Sequence, residues 1–183
     1  MNNHVCSVEK AGMLYNGFRK FLQNPKRIVG KYIEKGNFVA DIGCGPGFFT
    51  IPMAKLVGET GYVHAFDIQQ EMLEIMESNA LKNRVTNIKA IKSKNDKIGM
   101  SEKFDFVLAF YMVHEVPGID LKAFFYEIKM HLNKNGKILV VEPKFHVNRQ
   151  TYTEMISMAK KTGLKVDDMQ KSIASRFVLF VNN

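Results

Sequence analysis

The sequence has few cysteines and no long apolar run, and each shortage excludes a class of protein. The longest apolar run is Phe106–Val113, far short of the roughly 20 residues of a membrane-spanning helix, so we expect neither an integral membrane protein nor a membrane partner. Cys6 and Cys44 are too few for a disulfide framework and, without nearby histidines, for a zinc site; we therefore predict no metal. No secretory signal is visible, which favours a reducing, cytoplasmic location.

Positive charge is in excess and unevenly spread. Lys and Arg number 26 against 18 Asp and Glu, a net charge of +8 in 183 residues. Residues 1–40 carry seven cations against two acids, and residues 82–97 carry six against one. Such patches attract RNA or other anions, or are simply solvated faces. The second patch lacks the interleaved aromatics typical of single-strand binding, so nucleic acid is a possible but not a favoured partner.

Short apolar segments alternate with longer amphipathic ones. This order predicts an α/β fold with a doubly wound, mostly parallel sheet of Rossmann-like type, whose last two strands pair antiparallel. An Asn24-Pro25 helix start and an apolar stripe ending at Ile33 predict an N-terminal helical cap over residues 1–35, ahead of a ligand-binding domain over 36–183. The predicted strands are 38–40, 61–66, 87–91, 104–111, 137–141, 164–170 and 175–181, and the predicted helices are 50–57, 69–79, 121–132 and 148–162.

The strongest local signal is the loop Asp41–Gly47, which reads Asp-Ile-Gly-Cys-Gly-Pro-Gly between a predicted strand and a helix capped by Thr50. Glycines let the backbone turn sharply and approach a ligand. A dinucleotide loop starting at Gly43 needs a third glycine where Phe48 stands, and no Gly-Lys-Ser/Thr phosphate loop follows. The pattern therefore favours a cofactor with a cationic centre and no phosphate at this loop, such as S-adenosylmethionine.

An acid follows at the end of the second predicted strand. Asp67 lies twenty residues after Gly47. A carboxylate at the carboxyl end of a strand can accept hydrogen bonds from both hydroxyls of a ribose. The same residue is also well placed to cap the helix that starts near Gln69. With the glycine loop upstream, we predict that Asp67 binds ribose.

Four segments in order resemble the motifs of class I S-adenosylmethionine-dependent methyltransferases of the small-molecule branch. They are the glycine loop, the second strand with its terminal acid, the fourth strand and the turn into the fifth strand. The resemblance extends over residues 36–183. In this sequence the four segments are Asp41–Gly47, Val63–Asp67, Phe104–His114 and Leu132–Pro143.

The resemblance implies a role for each matching residue. Gly43, Cys44, Gly45 and Gly47 are expected to line the methionine end of the cofactor, and Asp41 to anchor the loop. Phe110 is expected beside the sulfonium. Ile68 and Met72 are expected to pack against the adenine. Because Lys94 stands at the usual acidic position, the contact with the adenine edge is expected from Asn95, or from Asp96 by a register shift.

Methyl transfer needs a nucleophile in line with the methyl group, and a base only if that nucleophile must first lose a proton. His114 and Tyr111 are the candidate catalytic residues, since they follow the fourth strand and His114 can accept a proton near neutral pH. His114 could instead shape the cofactor wall, and Tyr111 could belong to the core. Other candidates at the binding edge are Glu115, Glu142 and His146.

Missing motifs limit the acceptor. The sequence has no Asn-Pro-Pro-Tyr/Phe motif for amino-nitrogen methylation and no cysteine pair on the fourth and fifth strands for carbon-5 pyrimidine methylation. A small-molecule acceptor remains the main prediction. RNA or protein methylation through the basic patches, or a module that binds the cofactor without catalysis, are the alternatives. A dehydrogenase is disfavoured by Phe48.

Overall fold

The computed structural model describes residues 23–115 and 120–183. Its seven strands all belong to one sheet, which confirms the predicted fold class. The strands are β1 (Phe38–Ile42), β2 (Tyr62–Asp67), β3 (Ile88–Lys92), β4 (Phe104–Phe110), β5 (Leu132–Pro143), β6 (Lys165–Lys171) and β7 (Ser175–Val181). In the described residues the helices are α1 (Pro25–Val29), α2 (Thr50–Val57), α3 (Gln70–Lys82), α4 (Leu121–Met130) and α5 (Arg149–Lys161), and a 3₁₀ turn spans Val113–Glu115.

The first compact unit comprises the described residues up to Ser93. Its strands lie in the order β3-β2-β1, all parallel, with Phe38 opposite Tyr62 and Val63 opposite Ile88. Four of the five β1 residues are buried, as expected of a parallel strand covered on both faces. The carboxyl ends of β1 and β2 therefore carry the glycine loop and Asp67.

Helix α1 is shorter than the sequence predicts. Asn24 caps it as predicted, with its side chain accepting a hydrogen bond from the Arg27 amide. The helix ends at Val29, where Gly30 forms the C-cap, so the prediction that one helix carries the stripe as far as Ile33 is wrong. Glycine at this point costs helix stability and favours an early end. Residues 1–22 of the predicted cap lie outside the described residues.

The second unit comprises the described residues from Lys94 onward. Here β4 and β5 are parallel, whereas β7 runs antiparallel to both β5 and β6, as predicted for the final pair. The predicted turn at 133–136 lies inside β5 as an irregularity, because the pairing with β4 skips from Leu132 to Lys137. Asn135 takes a positive φ of 63° there. No helix in the described part of the chain is long and apolar enough to cross a membrane.

Candidate functional site

Two glycines of the loop have different surroundings. Both have positive φ, 51° at Gly45 and 89° at Gly47. A Cβ on Gly47 would lie 2.8 Å from Cγ of Met76, whereas a Cβ on Gly45 would meet nothing within 4 Å. Gly47 is thus required by packing against α3, while Gly45 borders open space into which a ligand can fit.

The loop amides are already committed to acceptors within the protein. Gly43 N–H and Cys44 N–H both donate to the Phe66 carbonyl, at 2.8 and 3.0 Å, and Gly47 N–H donates to the Cys44 carbonyl at 3.1 Å. Gly45 N–H donates to a side chain, the carboxylate of Asp67, and Pro46 has no N–H. A pyrophosphate needs several unpaired amides. Residues 43–47 do not supply them, which agrees with a ligand that has no phosphate at this loop.

Asp67 joins the loop to the start of α3. Its Oδ2 accepts the Gly45 amide and its Oδ1 accepts the Gln69 amide, both at 2.9 Å. The N-cap of α3 is Gln69 rather than Asp67. Each carboxylate oxygen can accept more than one hydrogen bond, so both retain capacity for a ribose hydroxyl. Burial raises the pKa of Asp67, and the amides of Gln69, Gly45 and Ile68 oppose that rise.

Asp41 anchors α2 beneath the loop. Its Oδ2 accepts the hydroxyl of Thr50 at 2.6 Å, and both residues are buried. The prediction that Thr50 caps α2 is wrong, since the N-cap is Phe49 and makes no side-chain cap bond. Burial raises the pKa of Asp41 from 3.8 to about 7; the Thr50 hydroxyl lowers it and Asp67 raises it further.

The two acids lack a cationic partner in the described residues. The ion pairs found there are His114–Glu142 and Lys137–Asp167, and neither involves Asp41 or Asp67. Two buried carboxylates without a counter-ion create a negative potential that favours a cation. A sulfonium cofactor carrying an ammonium group has the matching charge.

Cys44 packs into the core rather than facing a substrate. It lies in a buried cluster with Ala65, Leu73 and Met76. Burial raises the pKa of its thiol, and the charges of Asp41 and Asp67 raise it further. Because a thiol acts as a nucleophile only when ionised, burial and these charges disfavour a nucleophilic role for Cys44.

The structure places the four remaining predicted cofactor contacts in different environments. Ile68 is half-buried directly after β2, and Met72 is fully buried on α3. Asn95 is exposed within a turn that the Lys94 amide closes onto the Lys97 carbonyl. Phe110 ends β4 and is buried. Their cofactor contacts stay predictions.

A second group of polar side chains follows β4 and the end of β5; we call it the polar cluster and define it as Tyr111, His114, Glu142 and Ser175. His114 Nδ1 pairs with Glu142 Oε2, and the other carboxylate oxygen, Oε1, accepts the Val113 amide at 3.2 Å. Glu142 is 1% exposed. The Tyr111 hydroxyl pairs with the Ser175 hydroxyl. The fold therefore brings together both predicted catalytic residues with partners from β5 and β7.

Backbone geometry also marks this cluster. Tyr111 adopts a positive φ of 56°, which is uncommon for a bulky residue and often accompanies function. Its amide donates to the Val141 carbonyl at 2.8 Å, and its ring lies 4.3 Å from that of Phe110. The chain thus leaves β4 by a sharp bend that points Tyr111 toward β7.

The surroundings of His114 favour its charged form. Burial lowers its pKa, but the hydrogen bond and charge of Glu142, together with Glu115, outweigh burial and raise the pKa of His114 above its usual range. The His146 ring packs edge-on against it, 5.7 Å between centroids. The imidazole can therefore take up and release a proton near neutral pH.

Two residues were not foreseen in their present roles. Thr50 donates a hydrogen bond to Asp41, nine residues earlier in the chain, whereas its place at a helix start predicted an N-cap. Ser175 reaches Tyr111 because β7 pairs with β5 so that Ser175 lies opposite Pro143. No local pattern marks Ser175, since its role depends on strand register. Across the described residues, no group of His, Cys, Asp and Glu could hold a metal ion.

The sequence matches one family of proteins and several curated relatives. A family described as "Methyltransferase domain" matches residues 33–175. A demethylmenaquinone methyltransferase of Lactobacillus johnsonii is 32% identical over 168 residues, 84% of this chain and 64% of that protein. A 23S rRNA (uracil(1939)-C(5))-methyltransferase of Acinetobacter baylyi is 28% identical over 106 residues, 51% of this chain and 23% of that protein.

One solved structure shares the whole fold. A SAM-dependent methyltransferase from Aquifex aeolicus superposes with a TM-score of 0.86 at 22% identity, covering 97% of this chain and 100% of that one. The chain spans only 38% to 64% of the length of three curated relatives that it matches.

Proposed function

Because the chain belongs to the S-adenosylmethionine-dependent methyltransferase family, we propose that it transfers a methyl group to a small-molecule acceptor by in-line displacement. Family membership confirms the resemblance predicted from the four motifs, and with it the enzyme class and the cofactor. The choice of acceptor and the roles of individual residues form the proposal.

The observation that carries the proposal is the bond between the glycine loop and Asp67. The carboxylate of Asp67 accepts the Gly45 amide at 2.9 Å, so this acid and the loop form one hydrogen-bonded unit. Gly45 adds open space beside it, and Asp41 adds negative charge. These features fit a cofactor that presents a ribose diol and a cationic amino-acid part. Asp67 would bind the ribose, and the loop would enclose the methionine part.

When bound, S-adenosylmethionine supplies an electrophilic methyl group on a positively charged sulfur. The protein then has to exclude water and orient the acceptor. His114 is the candidate to remove a proton from the acceptor, and Tyr111, fixed by Ser175, is the candidate to orient it. Both follow the carboxyl end of β4, and ligands of open α/β sheets bind beyond the carboxyl ends of the strands.

RNA methylation is the second candidate, because one relative is named for an rRNA uracil and residues 82–97 are strongly basic. Carbon-5 methylation of a pyrimidine needs a cysteine nucleophile that adds to the ring. Neither β4 nor β5 contains a cysteine, and the pKa of the buried Cys44 is raised. These facts support a small-molecule acceptor over this type of RNA chemistry.

The test has two stages. Calorimetry with S-adenosylmethionine, S-adenosylhomocysteine and NAD should show binding of the first two and none of NAD; NAD binding alone would contradict the proposal. Release of S-adenosylhomocysteine is then measured with a metabolite extract below 1 kDa and, separately, with total RNA. Turnover dependent on the small-molecule fraction supports the proposal, and turnover with RNA alone favours the second candidate. Tight cofactor binding without turnover in either would indicate a non-catalytic module.

A further inference from the structure

The hydrogen bonds of Glu142 determine which nitrogen of His114 can accept a proton. An ionised carboxylate can only accept hydrogen bonds. Its Oε1 accepts the Val113 amide and its Oε2 contacts His114 Nδ1. The proton of a neutral imidazole therefore lies on Nδ1, and the lone pair lies on Nε2. Among residues 23–115 and 120–183, the hydrogen bond of this ring is the one to Glu142.

The ring itself is accessible, whereas its partner is not. The His114 side chain is 14% exposed and that of Glu142 is 1% exposed. A buried carboxylate that holds a partly exposed imidazole through Nδ1 is the arrangement that orients a general base in other enzymes. Glu142 itself cannot reach an acceptor, so any contribution to catalysis passes through His114.

We propose that Glu142 is a positioning residue that holds His114 with Nε2 free to deprotonate the acceptor, and that the acceptor is a weakly acidic hydroxyl compound, a phenol or an enol. This inference rests on the proposed function and deepens it. The acceptor O–H bond breaks, the proton goes to Nε2, and the oxygen keeps the electron pair with which it bonds the transferred methyl group. The methyl–sulfur bond of bound S-adenosylmethionine would break at the same time, its electron pair going to sulfur, so that neutral S-adenosylhomocysteine leaves. The imidazolium afterwards returns the proton to water.

The acceptor class follows from acid–base matching. A general base contributes most when its own pKa lies near the operating pH and the attacking atom is still protonated at that pH. A thiol, with a pKa near 8.5, is partly ionised without help, and an amine attacks through the lone pair of its neutral form. A phenol, with a pKa near 10 as in tyrosine, is almost fully protonated at neutral pH yet within reach of an imidazole. A positioned imidazole base therefore matters most for phenols and enols.

Other charged groups around this pair must be considered for its pH dependence. Glu115 on the 3₁₀ turn raises the proton affinity of His114, and the His146 ring contacts it. Arg176 on β7 lies opposite Glu142 in the pairing with β5, and Tyr152 on α5 interacts with the charges of both Arg176 and Glu142. Glu142 makes the direct hydrogen bond, so its replacement should have the largest effect.

The first test is independent of enzyme activity. Long-range ¹H–¹⁵N NMR of the full chain, with His114 assigned from a His114→Gln variant, reports which ring nitrogen carries the proton. We expect the proton on Nδ1 in the wild type, and a pKa of His114 at least about one unit lower in Glu142→Gln. The matched control is Asp167→Asn, which removes an exposed carboxylate partner of Lys137 and should leave His114 unchanged. A proton on Nε2 in the wild type, or an unmoved pKa, would overturn the positioning role.

The second test concerns the acceptor class. Turnover is measured over pH 5.5–9 with panels of simple phenols, 1,3-dicarbonyl enols, thiols and primary amines. For phenols or enols we expect Glu142→Gln to lower kcat at least about tenfold with little change in KM, and to shift the lower-pH limb of the profile. Turnover restricted to thiols or amines, or absent with all four panels, would overturn the acceptor class. Calorimetry on the same samples separates these outcomes from a failure to bind S-adenosylmethionine, which would contradict the proposed function itself.

If Glu142→Gln fails to fold, the wild-type tautomer alone decides the positioning role. His114→Gln then takes the place of Glu142→Gln in the acceptor test. We expect it to lower kcat for phenols at least about 100-fold. Because His114 is partly exposed, this variant should keep the fold. Equal losses for phenols and thiols would contradict a base acting on the acceptor.

Discussion

The glycine loop and the polar cluster each contain a buried carboxylate, but the two carboxylates have different partners. Asp67 accepts two backbone amides, from Gly45 and Gln69. Glu142 accepts one backbone amide and contacts one imidazole, that of His114. Amides donate at every physiological pH, whereas an imidazole changes its charge near neutrality. This difference fits the proposal that the loop is a permanent scaffold for cofactor binding and that the cluster transfers a proton.

The largest expected effect comes from filling the open space at Gly45. Gly45→Val should abolish S-adenosylmethionine binding in calorimetry, because a branched side chain would occupy the space beside the Asp67 bond. Gly99→Val is the matched control, since Gly99 also has a positive φ and a Cβ added there would meet nothing within 4 Å. Backbone strain should lower the melting temperature of the control by a similar amount, but the control should still bind S-adenosylmethionine. Normal binding by Gly45→Val would show that the loop does not touch the ligand.

Removing the acid of the scaffold should have the next largest effect. Asp67→Ala is expected to weaken S-adenosylmethionine binding at least about 100-fold, since charge-assisted hydrogen bonds contribute roughly 1.5–3 kcal/mol each and the Gly45 amide loses its acceptor. Asp167→Ala, at an exposed acid of β6, serves as the control and should bind normally. Unchanged affinity in a folded Asp67→Ala protein would refute the ribose role.

The pH dependence of stability should show whether the buried charge of Asp41 destabilises the protein without ligand. Its pKa in the folded protein is about 7, above the ordinary 3.8, so the native state holds a proton that the unfolded state has lost. Stability without ligand should therefore fall as pH rises from about 4 to 7 and stay low above 7. Cofactor affinity should rise over the upper part of this range, because a cation prefers the ionised acid.

Asp41→Asn should remove the part of this dependence that Asp41 contributes, whereas the raised pKa of Asp67 leaves a dependence of the same sign. Burying the charge costs up to about 4 kcal/mol at 1.36 kcal/mol per pKa unit, while an unpaired buried amide group costs about 1–3 kcal/mol. The variant should thus be more stable than the wild type by about 1–3 kcal/mol at pH 8 and lose that advantage below pH 4. Urea denaturation at both pH values measures this difference. A wild-type stability that rises between pH 4 and 7 while the variant stays flat would contradict the sign.

The smallest expected effect concerns the Tyr111–Ser175 pair of the polar cluster. Tyr111→Phe removes the hydrogen bond to Ser175 and should cost about 0.5–1.5 kcal/mol of stability, typical of one hydrogen bond. A double-mutant cycle with Ser175→Ala isolates the coupling between the two side chains. Additive effects would show that the pair does not interact in solution. Cofactor affinity should be unchanged in all three variants.

Most of the glycine loop region was predictable because its signals are local. The Asp-x-Gly-x-Gly-x-Gly spacing, the failed match at Phe48 and the acid that ends β2 all lie within about 30 residues. Helix α2 and strand β7 have the predicted bounds, 50–57 and 175–181. Alternating apolar segments and turn residues determine such elements directly.

The polar cluster was only partly predictable. His114 and Tyr111 were candidates because they follow β4, but the sequence offered three acids or histidines as equal partners. The pairing of His114 with Glu142 spans 28 residues, and that of Tyr111 with Ser175 spans 64. Both depend on which strands are neighbours and in what register, and local patterns do not encode register at that distance.

The identity of the cofactor and the class of fold follow from short-range patterns, because a glycine loop and a strand-end acid need only the residues beside them in the chain. The environment of each acid, by contrast, depends on folding. Burial raises the pKa of Asp41, and the pairing of β4 with β5 brings the imidazole of His114 to Glu142. Desolvation and long-range hydrogen bonds exist only after distant segments pack together, which is why the sequence shows the loop and its acid but not the partners of His114 and Tyr111.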